Sequence, residues 1–357
     1  MKRTLLVLLC IVLSCFVLVS CAEDEIGSYL ENYPESGTTV EKLTLNLYII
    51  VGNETTEDAK TSVARELNAH TLSKFNTVLN VFYVSADSYQ ETVMGAINNG
   101  GDNAPNIILI NSASMFNELV EGKKLADLTS YLDGTKYGSL NTQIPKALLL
   151  ASRISGKYYS VPNNHLIGEY KYLVVNKEIA RNYLFSDAKI NSYKSLADAQ
   201  PLIDAMKNDG KSDEDISKAV FEISGPYELR NQYANGYFCN VCVYPTVDAN
   251  EAFCSAFSVI KNLEEKYNER SMEVIYEINT NKYFRNLLQY GVQDINYTLS
   301  DDKVVTRNTE NLYVMNLLYT GDVFNAYYCE DYNWTAKDRD NRFKQNEESV
   351  VATAEQN

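Results

Sequence analysis

Apolar residues fall along this chain in short dense runs set between longer amphipathic stretches. The first run of the folded part, Lys42 to Val51, alternates at first and then becomes continuously apolar, as a strand buried on both faces would. It stops at Gly52-Asn53-Glu54-Thr55, and Thr55 or Thr56 can cap a helix from Glu57 to Lys74. A strand from Val78 to Val84 and a helix from Ser88 to Asn98 follow. The turn Gly100-Gly-Asp-Asn-Ala-Pro105 leads into a third buried strand, Asn106 to Ile110. Asn111-Ser112-Ala113-Ser114 then opens a helix to Glu121. Strand and helix alternate three times, which predicts βαβ units and a parallel sheet. Ligands of such sheets meet the loops at the carboxyl ends of the strands, here residues 52–55 and 111–114.

Beyond residue 150 the pattern is less regular. Gly156 to Pro162 reads as extended, and Tyr170 to Asn176 as a strand with a helix starting near Lys177. Residues 194–218 read as helical with polar breaks, and 221–225 and 236–244 as strands. Helical periodicity is expected over 250–267 and again over 271–289, with an extended stretch at 291–299. The polar end, 341–357, is expected to fray.

The N-terminus adds a separate signal. Lys2 and Arg3 precede an apolar run from Leu5 to Val19, followed by the acidic Glu23, Asp24 and Glu25. The run is short for a spanning helix and has the charged, apolar and small-residue regions of a secretory signal. Leu18-Val-Ser-Cys21 resembles the lipobox of bacterial lipoproteins. That resemblance implies removal of residues 1–20, acylation of Cys21 with fatty chains such as palmitate, and a protein tethered to the outer face of the cell membrane. Residues 21–41 then form a polar tether.

Removing twenty of 357 residues leaves 337, more than one core usually holds, so two lobes are expected. The formal charge is −15, and losing Lys2 and Arg3 takes the mature chain to about −17. That disfavours nucleic acid as a partner and favours a neutral ligand over an anionic one. After Cys10, Cys15 and Cys21, the cysteines Cys239, Cys242, Cys254 and Cys329 remain. Cys239-Asn-Val-Cys242 has a zinc-like or redox-like spacing, but the run around it alternates like a strand, which points the two thiols to opposite faces. His70 and His165 are the only histidines and lack ligand spacing, so no metal or cofactor is expected.

Four segments together resemble the extracellular solute-binding proteins, family 1, the maltose-binding-like lipoproteins of Gram-positive ABC transporters. They are Gly100 to Ile110; Glu121-Gly-Lys-Lys-Leu-Ala-Asp-Leu-Thr129; Gly156-Lys-Tyr-Tyr-Ser-Val-Pro162 with Tyr172-Leu-Val-Val-Asn-Lys177; and Asn286-Leu-Leu-Gln-Tyr-Gly-Val-Gln-Asp-Ile-Asn-Tyr297. The family often has Asp where this chain has Asn106, and a second Gly where it has Asp294. The resemblance implies an α/β fold of two lobes joined by crossing strands, a ligand cleft between them, hinge closure and delivery of a small polar solute, a sugar above all, to an ABC permease. The expected lobes are 42–162 with 247–292, and 163–246 with 293–357.

Topology then nominates the binding residues. Asn53 and Glu54 follow the first strand, Asn111 and Ser112 follow the third, and Asn163, Asn164 and His165 stand at the crossing. Tyr227, Tyr237 and Trp334 are the aromatic candidates for packing on the C–H faces of a sugar. No P-loop, H-E-x-x-H or G-x-S-x-G motif is present, so no catalytic residue is nominated. A non-transport surface sensor or adhesin, or a surface glycosidase or lyase, is the alternative reading.

Overall fold

The computed structural model describes residues 40–329 and 336–352. The signal segment, the acylation site at Cys21 and Trp334 lie outside the described residues. The chain begins with β1 (Leu43–Val51), whose last seven residues are all buried. Helix α1 (Glu57–Phe75) follows. Thr56 caps it by accepting a hydrogen bond from the Ala59 amide, and Asn76 closes it in the left-handed region. Then come β2 (Thr77–Ser85), α2 (Tyr89–Asn99), β3 (Ile107–Ile110) and α3 (Ala113–Glu121), the last capped by Ser112. This is the strand–helix alternation that the sequence predicts. Asn46 explains the turn before β3. Its side-chain amide donates to the carbonyls of Asp102 and Ala104 at 2.7 and 2.9 Å, and its own N–H donates to Asn106 Oδ1 at 2.8 Å. Asn106 Oδ1 thus ties the start of β3 to β1.

The chain next passes through β4 (Val161–Pro162) and crosses to a second sheet, beginning with β5 (Tyr170–Asn176). That lobe continues with α4 (Gln200–Asn208), α5 (Asp213–Ala219), β6 (Val220–Gly225), the short α6 (Leu229–Tyr233) and β7 (Tyr237–Val243). The chain then returns through α7 (Ala249–Phe253) and β8 (Ala256–Val259). Two further helices follow: α8 (Glu265–Thr280) packs on the first sheet, and α9 (Lys282–Tyr290) packs against α8 and α1; α10 (Ala336–Glu347) lies near the end.

The first sheet has the order β2-β1-β3-β8-β4. β1 runs parallel to β2 and β3, while β8 runs antiparallel to both β3 and β4. The second sheet has the order β6-β7 flanking β5 on either side, all antiparallel. The fold class is therefore the two-lobe α/β arrangement expected.

Two expectations need correction. Residues 250–267 are not one helix: β8 interrupts them and inserts into the first sheet. Its four residues are buried on both faces, which erases the alternation that would mark a strand. The stretch 271–289 likewise breaks at Asn281, which is extended and caps α9 through its side chain. The C-terminal part packs against both lobes. Tyr313 and Met315 are buried in the core of the first lobe, and Tyr297 and Val305 pack against Tyr290 of α9. Residues 297–319 thus belong with the first lobe, and α10 reaches the second. Arg342 pairs with Glu228 at 2.8 Å, and Tyr170 Oη donates to Glu348 Oε2 at 2.7 Å.

Candidate functional site

The carboxyl edge of the first sheet faces the crossing segments. Ile110, Ala256 and Pro162 form one row across β3, β8 and β4. One residue further along these strands stand Asn111, Ser255 and Asn163, and the Asn163 amide donates to the Ser255 carbonyl at 3.0 Å. The edge is thus a ledge of amides and hydroxyls.

A strap, residues 312–320, runs along this ledge. Gly52 N–H donates to the Val314 carbonyl at 2.9 Å, and Thr56 N–H to that of Leu312 at 3.0 Å. At the other end the Leu318 carbonyl accepts from Asn163 Nδ2 at 3.0 Å and from Ser255 Oγ. The strap leaves Asn316 exposed and Tyr319 half-buried. Burial, with Cys254 as a smaller contributor, pushes the Tyr319 phenol up. Tyr319 and Asn316 carry no sequence signal because the strap has neither helical nor strand period, and Ser255 stands just before a strand whose buried residues show no alternation.

The nominated residues separate into three groups. Asn53 and Glu54 are exposed, and Asn111 and Ser112 are half-buried with Ser112 engaged in capping α3. These four retain surface toward solvent on the ledge. Asn163, Asn164 and His165 are buried, at 0, 0 and 2 % exposure, and are structural partners of the hinge. Asn163 Nδ2 also reaches Ser255 Oγ at 2.8 Å, and its Oδ1 has no partner among the described residues. Asn164 donates to the Gln143 carbonyl and accepts from Asn346. Their polarity satisfies backbone at the crossing, where no sheet ladder does so.

His165 Nδ1 lies 2.7 Å from the Asn163 carbonyl, which fixes that nitrogen as the protonated one and leaves Nε2 facing Cys254 Sγ at 3.4 Å. Burial lowers the imidazole pKa. Burial first, then Glu251, pushes the Cys254 thiol up to about 11. At neutral pH the pair is a neutral ring beside a neutral thiol, the opposite of the ion pair that makes a cysteine nucleophilic.

The tyrosines lie in the second lobe. Its sheet turns Leu173, Val175, Val220 and Phe238 toward α4 and α5, and turns Tyr170, Tyr172, Phe221, Tyr237 and Cys239 to the other face. Tyr227 sits at the hinge end, where Gly225 pairs with Tyr170. Tyr237 pairs with Asn176 at the far end of β5. Six strand residues separate those ends, about 20 Å at ordinary strand rise, so Tyr237 is remote from the hinge. Its ring instead meets Phe221 and Tyr233 nearly edge-on. Cys239 and Cys242 are free thiols on opposite faces, which prevents them from sharing one metal ion.

This arrangement of two α/β lobes, crossing segments and a polar ledge is the solute-binding-protein fold. The N-glycan transport solute-binding protein of Streptococcus pneumoniae, NgtS, superposes with a TM-score of 0.56 at 17 % identity, covering 88 % of this chain and 84 % of that one. Its complex with Man1GlcNAc gives 0.54 at 16 % identity over 87 and 84 %, and that with Man5GlcNAc 0.53 at 16 % over 87 and 83 %. No family model matches the sequence, and neither does any curated protein. Among the described residues no helix is long and apolar enough to cross a membrane.

Proposed function

We propose that this chain is the solute-capturing subunit of an ABC importer, held at the outer face of the membrane through acylated Cys21, and that its solute is a sugar or oligosaccharide. The observation that carries the reading is the two-lobe fold with its crossings, shared over most of both chains with a protein that binds N-glycan fragments. The ledge supports it chemically. Asn111 and Ser112 offer an amide and a hydroxyl suited to sugar hydroxyls, and the strap offers the half-buried Tyr319 ring. Closure of the second lobe over this ledge would exclude water from those hydrogen bonds.

A thermal-shift screen of oligosaccharides and peptides, followed by small-angle scattering with any hit, tests the proposal. A sugar should raise the melting point by mass action and reduce the radius of gyration. Asn111→Ala should weaken its binding by about 1–2 kcal/mol. A peptide-only response, or turnover of the sugar, would overturn the reading.

A further inference from the structure

We propose that the surface around Tyr227 receives a carboxylated sugar residue, an inference that rests on the carbohydrate reading above and narrows it to acidic glycans. Arg230 on α6 is half-buried, with its guanidinium 5.2 Å from the centre of the Tyr227 ring. Among the described residues its side chain makes no ion pair and no hydrogen bond. Its charge is felt on the same sheet face. Burial raises the Tyr172 phenol and the Cys239 thiol, and Arg230 opposes both shifts. A guanidinium partly withdrawn from water beside aromatic rings lacks a counter-ion, and an anion would supply it.

Two neighbours give the surface the character of a built site. Glu228 accepts from Arg342 Nε at 2.8 Å through Oε1, while its Oε2 is buried without a partner. Lys344 donates to Tyr227 Oη at 3.1 Å and stands 4.9 Å from the ring centre. Tyr244, 46 % exposed just beyond the end of β7, offers an open ring 6.1 Å from Tyr170. Arg230, Arg342 and Lys344 against Glu228 and Glu348 leave this patch at +1, on a chain whose formal charge is −15. The whole-chain charge that favours a neutral ligand is therefore reversed locally.

The chemistry selects the class. A planar guanidinium matches a carboxylate through two parallel hydrogen bonds. One unpaired cation balances a single negative charge better than the nearly double charge of a phosphate monoester. The exposed faces of Tyr227 and Tyr244 take a C–H face of the sugar ring.

The test uses the full chain with 3′-sialyllactose, the methyl ester of that sugar, digalacturonate, lactose and maltotriose, read by thermal shift and calorimetry. At least one carboxylated sugar should bind. Esterification should weaken it about tenfold or more, and Arg230→Gln should do the same while Arg230→Lys retains part of the affinity. Equal binding of acid and ester, or an unchanged affinity in Arg230→Gln, would overturn the proposal. Hits confined to lactose or maltotriose would overturn it while leaving the carbohydrate reading intact. Silence from every sugar would sink both.

Discussion

Asn346 Nδ2 donates a 3.0 Å hydrogen bond to Oδ1 of Asn164. Both residues are buried, and the bond ties the last helix to the first crossing between the lobes. Asn346 also donates to the His165 carbonyl, and its own Oδ1 accepts from the Ile167 amide at 3.3 Å. One side chain thus satisfies three groups of a crossing that has no ladder of its own. Asn346→Ala should therefore destabilise the protein by about 1–3 kcal/mol, the cost of buried polar groups left unpaired. Urea unfolding measures it, and a change within error would mean that water replaces the amide.

Asp322 predicts a pH dependence. It is 5 % exposed, and burial pushes its carboxyl up to about 7 against the opposing pull of the Phe324 amide, Arg285 and Arg339. The folded state then holds the proton more tightly than the unfolded chain. The stabilisation is fully present below about pH 4, the unfolded value, and is lost as pH rises through 7. The limit is on the order of 4 kcal/mol. His165 acts in the opposite sense, because its lowered pKa removes stability as pH falls below its ordinary range. Asp322→Asn isolates the first effect. The gap between variant and wild type should widen in favour of the variant from pH 5 to pH 8. A constant gap across that range would show that Asp322 is ionised throughout.

Gly291 and Asp294 both have positive φ, 81° and 65°, in the turn after α9. They differ in surroundings. A Cβ on Gly291 would stand 2.5 Å from Asn296 Oδ1, which accepts from the Val292 amide. Asp294 is exposed and tolerates the left-handed region through its short polar side chain. Gly291→Ala should cost about 2–3 kcal/mol, whereas Asp294→Gly should stay within about 1 kcal/mol of wild type. Thermal denaturation of the two variants side by side checks the contrast.

Acylation at Cys21 is testable without any ligand. Cys21→Ser should shift the protein from the membrane fraction to the soluble or secreted fraction, and mass spectrometry of the wild type should find fatty acyl chains on Cys21. A wild type without acyl groups whose Ser variant still pellets with membranes would point to an uncleaved anchor instead.

The sequence made the first lobe legible because its first three strands are each followed by a helix, and two of those helices announce their start with a capping side chain, Thr56 and Ser112. It hid β8 because Ala256 to Val259 are all buried and carry no alternation. Asn163, Asn164 and His165 drew attention as ligand groups because polar residues in an extended segment look available. In the fold they serve backbone carbonyls and one another's neighbours, a distinction that only tertiary contact makes. Tyr237 and Tyr227 read alike in sequence, and the length of β5 places them at opposite ends. Arg230 escaped notice because a single arginine in an acidic chain carries no pattern.

The insertion of β8 between β3 and β4 has a consequence for how the protein reaches its native state. Ile110 waits for Ala256, so the edge of β3 stays open until the whole second lobe has been synthesised. Pairing that distant in sequence is slow, and an open apolar strand edge invites association with other chains in the meantime. The first lobe therefore finishes late, and residues 107–110 are the edge that a holdase-type chaperone would have to cover in the meantime.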